Sequence, residues 1–67
     1  MNHYRFTLQK DDTRIEEIGT MTFPDDGEAL AFGQQIARDL ADDPGQQAGV
    51  AVAVIKGTRT VRSIPLK

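Results

Sequence analysis

The sequence predicts a small α+β domain of order β-β-α-β-β, one helix packed on one face of an antiparallel or mixed sheet. Three observations carry that prediction. His3 to Gln9 alternates apolar and polar residues; the segment after Pro24 combines a capped start with an apolar stripe of helical period; and Gly49 to Ile55 reads G-V-A-V-A-V-I, a short valine-rich run followed by a glycine turn. A helical stripe needs an apolar surface to cover, and one face of a sheet supplies it.

The first strand sets Tyr4, Phe6 and Leu8 on one side and His3, Arg5, Thr7 and Gln9 on the other. Lys10-Asp11-Asp12-Thr13 reads as a polar turn. Arg14 to Ile18 reads as a short second strand that Gly19 breaks, and Thr20 to Phe23 is extended again, with Met21 and Phe23 on one side. Asp25 as N-cap with Glu28 three residues later is an aspartate form of the capping box. Such a cap satisfies backbone N–H groups that the helix leaves orphaned, and contributes ~1 kcal/mol. From Ala29 onward, Leu30, Gly33, Ile36, Ala37, Leu40 and Ala41 continue one stripe, with Glu28, Gln35, Arg38, Asp39 and Asp42 opposite. Gly33 costs ~1 kcal/mol of helix propensity against alanine, which points to a close approach of helix to sheet. Asp43-Pro44-Gly45 reads as the helix end, and Gln46-Gln47 as the start of a loop. After the valine-rich strand, Gly57 supplies a hairpin turn, Thr58 to Ile64 returns, and Pro65, which has no N–H, ends the ladder.

The third strand is apolar on both sides, Val50, Val52 and Val54 against Ala51, Ala53 and Ile55, as suits a strand flanked on both edges. If Gly57-Thr58 is the two-residue turn of an unbroken ladder, Ile64 falls opposite Ala51. Ala51, Ala53, Ile55 and Ile64, with Leu66 beyond, then form an apolar strip on the face the helix leaves open, the kind of patch that marks an interaction site. A β-bulge near Arg62-Ser63 would instead turn Ile64 into the core and erase most of the strip. Phe32, about 100° off the centre of the helix stripe, either packs over the sheet margin or anchors a partner. Phe32, Ala51, Ala53, Ile55, Arg62 and Ile64 are therefore the candidate interaction residues.

With 67 residues there is room for one domain, residues 1–67, and one core. A core of this size rarely nets more than ~3–5 kcal/mol, so small domains add disulfides, a structural metal or a partner. There is no cysteine and a single histidine, His3, which removes disulfides, thiolate sites and the usual zinc ligands and leaves association, with a homodimer as one form of it. Ala48 to Ile55 is too short to span a bilayer, and the first residues lack the apolar stretch of a signal peptide, so the expected location is cytoplasmic, with no membrane partner.

All ten acids lie between residues 11 and 43, where Arg14 and Arg38 leave a charge of −8; residues 1–10 carry +2 and residues 44–67 carry +4. If the first and last strands share a sheet, the sheet side is basic and the helix side acidic. That is either a polarity that steers partners or acids on a solvated helix with cations guarding sheet edges. His3 has no nucleophile motif near it, and the acid pairs Asp11-Asp12, Glu16-Glu17, Asp25-Asp26 and Asp42-Asp43 do not follow a calcium-loop spacing. No phosphate loop, zinc or dinucleotide pattern occurs, so the sequence names no catalytic residue, no metal ligand and no cofactor. Nucleic-acid binding would rest on Arg5, Lys10, Lys56, Arg59, Arg62 and Lys67 without an aromatic stacking stripe, at a net charge of −2. The expected function is a non-enzymatic protein-interaction or self-association module, with a weak nucleic-acid-binding module on the basic strands as the alternative.

Tyr4-Arg5-Phe6, Gly19 through Phe23-Pro24-Asp25, Glu28-Ala29, Ala37-Arg38-Asp39-Leu40 and a closing hairpin ending Ile64-Pro65 follow a recurrent layout. In these motifs, spread over nearly the whole chain, the sequence resembles a family of very short, mostly alphaproteobacterial proteins of unknown function. The resemblance implies a small ββαββ-type domain and carries over no catalytic residue.

Ile64→Asp separates the two hairpin arrangements. At an interface the charge abolishes association and leaves the fold intact, whereas in the core it unfolds the domain; circular dichroism beside sedimentation reads the difference.

Overall fold

The computed structural model describes residues 1–11, 13–42 and 49–66. Strand β1 (Asn2–Lys10) leads into β2 (Thr13–Phe23), helix α1 (Asp26–Ala41) follows, and β3 (Val50–Lys56) and β4 (Arg59–Pro65) close the chain. The four strands form one sheet in the order β2-β1-β3-β4, each neighbouring pair antiparallel. Thus β3, apolar front and back, is an inner strand between β1 and β4.

The alternation in β1 meets the alternation in β3 in register. Phe6 faces Val54 and Leu8 faces Val52 on the helix side, while Arg5 faces Ile55, Thr7 faces Ala53 and Gln9 faces Ala51 on the open side. Asp25 caps α1 as expected, its Oδ1 accepting from the Glu28 backbone N–H at 2.9 Å. Ala29, Gly33 and Ala37 are the residues of α1 that become fully buried. All three are small, so the helix backbone comes down close to the sheet. A Cβ at Gly33 would stand 2.9 Å from Val54 Cγ2 and 3.0 Å from Ile64 Cδ1. On the flank of the helix toward β2 the gap is filled by aromatic rings instead. Phe6 and Phe32 meet edge-on with centroids 5.2 Å apart, and Phe23 and Phe32 lie 5.5 Å apart. Such pairs contribute ~0.5–1.5 kcal/mol each beyond their buried area.

Two readings of the strands change. Gly19 does not end a strand: β2 runs unbroken from Thr13 to Phe23, with register shifts that leave Ile18 and Ile15 as extra residues opposite a continuous β1. In the second hairpin Gly57, at φ 65°, supplies the turn, and Lys56 pairs with Arg59. The ladder then shifts between Thr60 and Arg62, which puts the bulge expected near Arg62-Ser63 at Val61. Beyond it Ile64 faces Val52 and packs on the core. Pro65 is the last strand residue, but one more bond follows it, from Leu66 N–H to the Val50 carbonyl at 3.1 Å. The expected helix end at Asp43-Pro44-Gly45 and the loop at Gln46-Gln47 lie outside the described residues.

Gly33→Ala sets a helix gain of ~1 kcal/mol against an overpacking cost of ~1–3 kcal/mol at two core methyls. The expected result is a net loss of about 1 kcal/mol, and a larger one for Gly33→Val, read from urea unfolding midpoints.

Candidate interaction surface

The strip on the open face is smaller than the unbroken ladder requires. Ile64 has left it for the helix side. Ala53 is fully buried between Thr7 and Ser63, Ile55 is 9% exposed between Arg5 and Thr60, and Ala51 is half-buried between Gln9 and Pro65. Longer neighbours close over the small residues, so the face presents His3, Arg5, Gln9, Thr20 and Thr22 more than alanine. Arg5 Nε stands 3.2 Å from Glu17 Oε1 across the β1–β2 pair. Thr7 is fully buried on this face, and its hydroxyl finds no hydrogen-bond partner among the described residues. Arg62 is exposed opposite Val54. Phe32 is half-buried against Phe6 and Phe23, over the sheet margin.

A polar cluster ties the start of α1 to both hairpins. Tyr4 Oη donates to Asp26 Oδ1 at 2.5 Å, Lys56 Nζ lies 3.8 Å from the same oxygen, and Arg59 Nη2 lies 4.0 Å from Oδ2. The two ion pairs are long and partly exposed and contribute little by themselves. The tyrosine bond is the ordering contact, because it joins β1 to the first turn of the helix. That bond, assisted by Lys56 and Arg59, holds the Asp26 carboxyl below its ordinary value of 3.8. Burial, and then the bond to Asp26, hold the Tyr4 hydroxyl above its ordinary value of 10.0.

The large exposed hydrophobics are elsewhere. They are Met1 (82% exposed), Ile15 (54%), Ile18 (40%) and Met21 (44%), at the N-terminus and along the edge strand β2. Met21 pairs with Tyr4 and so lies on the helix side of the sheet. The helix, however, sits over β3 and β4, where Gly33 meets Val54 and Ile64, and leaves the β2 margin uncovered. Between the two runs a shallow trough of about 280 Å³ lined by Leu8, Glu16, Glu17, Ile18, Ile36 and Leu40. A larger hollow of about 490 Å³ on the β4 side of the helix is lined by Ala37, Ala41, Ile64 and Leu66 with Gln34, Arg38, Asp42 and Pro65. Ile64 and Leu66 are half-buried in its wall, and none of Met1, Ile15, Ile18 and Met21 borders it.

Sequence reasoning missed Ile15, Ile18 and Met21. They recur every three residues, a spacing that fits neither the alternation of a strand nor the stripe of a helix. Among the described residues no group of three or more acids or histidines is arranged to hold a metal ion, and no helix is long and apolar enough to cross a membrane. Fold and surface define a small α+β domain with an uncovered apolar margin along β2. No family model, curated protein or solved structure matches the chain.

The shifted groups set the pH response. Asp26 is lowered in the fold, so its carboxylate stabilises the protein above the ordinary aspartate value, and that contribution is lost as pH falls through the folded value. Tyr4 is raised, so its contribution is full below the ordinary tyrosine value and is lost as pH rises through the folded one. Asp26→Asn is expected to be less stable than the parent at neutral pH, and the gap is expected to close as the solution is acidified through the folded Asp26 value. Denaturant midpoints at a series of pH values check it.

Proposed function

We propose that this chain is a non-enzymatic protein-interaction module that binds through the uncovered margin of β2. One observation carries the reading: Ile15, Ile18 and Met21 stand exposed on a single edge strand, and Ile18 continues into half-buried Ile36 and Leu40 of the helix. Several exposed large apolar side chains along one edge of a domain this small favour a partner over solvent. The open-face strip supports such a role less well, because Ile64 is withdrawn from it and Ala53 and Ile55 are closed over.

The basic strands support nucleic-acid binding less well than their composition suggests. Arg5 is paired with Glu17, while Lys56 and Arg59 flank Asp26. Glu16 and Glu17 lie on the sheet as well, so acids are not confined to the helix side. The layout shared with the short alphaproteobacterial family is compatible with an interaction role and adds no activity to it.

Residues kept for a partner contribute little to the isolated fold. The double variant Ile18→Ser/Met21→Ser is expected to unfold within about 0.5 kcal/mol of the parent, as surface substitutions usually do. A loss of several kcal/mol, read from chemical denaturation, would show that both side chains serve the core and would reject the reading.

A further inference from the structure

We infer that the trough between β2 and α1 takes a cationic amphipathic helix from another protein and not a second copy of this chain; the inference rests on the docking role proposed for the β2 margin. The floor of the trough is apolar, made by Leu8, Ile18, Ile36 and Leu40. Its banks are acidic. Glu16, which pairs with Leu8, lines it with its side chain on the strand side, whereas the Glu17 carboxylate meets Arg5 on the open face. On the helix side, successive residues turn by about 100°, which puts Asp39 and Glu28 on the solvent flank just past Phe32 and Ile36. Both are exposed. Asp39 accepts a hydrogen bond from Gln35 at 3.1 Å, a neutral partner that leaves its charge in place. Lys56 and Arg59 gather around Asp26 at the start of the helix.

This charge pattern selects the occupant. A second copy docking about a two-fold axis would bring the same acidic banks against each other, since an isologous interface apposes one patch to itself. Like charges so apposed oppose association, whereas lysines and arginines on a partner complement them. Cationic side chains also suit this margin, because their aliphatic stems lie along Ile18 while the charged ends reach Glu16.

Backbone geometry selects a helix over a strand. The register shifts at Ile15 and Ile18 break the regular spacing of free N–H and C=O groups along the β2 edge, a device that discourages strand addition. Docking then falls to side chains. Phe23 meets Phe32 at one end of the margin, and further along Ile18 faces Ile36 and Leu40 across the trough. The 16 residues of α1 span about 24 Å, enough to flank a partner helix of similar length that inserts its i, i+4 and i+7 side chains. At about 280 Å³ the trough lies just under the size of small-molecule pockets, roughly 300–1,000 Å³, and is better suited to side-chain knobs.

The test uses the full chain, isotope-labelled for amide NMR, and two helical peptides of about 16 residues. Both carry leucines on one face; one has lysines opposite and its twin has glutamates. The lysine peptide is expected to shift the amides of Ile18, Ile36 and Leu40 and to bind on the order of tenfold more weakly in high salt than in low salt. Glu16→Gln/Asp39→Asn is expected to weaken it several-fold, and Ile18→Ser to remove the shifts while the spectrum stays dispersed. Equal binding of the glutamate twin, or indifference to salt and to Glu16→Gln/Asp39→Asn, overturns the cationic partner and leaves the docking role standing. Sedimentation showing a dimer that Ile18→Ser dissociates overturns it in favour of a second copy. Failure of both peptides to shift the trough, with no dimer, overturns the docking role as well.

Discussion

Helix α1 touches the sheet through a side chain that is missing. Gly33 lets the helix backbone descend until Val54 of β3 and Ile64 of β4 occupy the space a methyl would take. Small residues one turn to either side, Ala29 and Ala37, extend the contact into a flat seam. The seam decides which strands the helix covers. It is anchored on β3 and β4, and β1 is reached through Phe6 and Leu8. Strand β2, on the far side of β1, meets the helix at Phe32 but takes up little of its apolar length. The exposure of Ile18 and Met21 thus follows from the position of one glycine.

Bulges do the rest of the placing. A single extra residue in a strand turns every following side chain to the other face relative to its partner. At Val61 that shift brings Ile64 over Val52, where it closes the core beside Gly33. At Ile15 and Ile18 it lets a strand of 11 residues stay paired with one of 9. Both outer strands of the sheet therefore carry a break in their hydrogen-bonding rhythm, and Pro65 adds a second safeguard on β4. The inner strands, which could not tolerate such breaks, are regular.

The sequence shows the helix start, the alternation of β1, the turn at Gly57 and the inner place of β3, because each leaves a residue signature: a capping aspartate, a period of two, a glycine at positive φ, apolar residues on both faces. Bulges leave none. They depend on how two strands settle against each other and on what the helix requires beneath it. The parity of Ile64 was open for that reason, and Ile15, Ile18 and Met21 carried no recognisable period. Phe32 was legible as an off-stripe residue, but only the positions of Phe6 and Phe23 show that it closes the sheet margin. Acids on β2 and on α1 were visible as one run; that they border the same trough depends on the sheet order.

The central seam of the sheet joins β1 to β3, the first strand to the third, so Phe6 finds Val54 only after helix α1 and the segment beyond it have been laid down. Until β3 pairs, Tyr4, Phe6 and Leu8 of the first hairpin lack the valines that seal them. Contacts so far apart along a chain are slow to form, because the loop between them must be closed before any pairing rewards it. Until then the first half of the fold is an apolar surface without its cover, prone to association with other such surfaces.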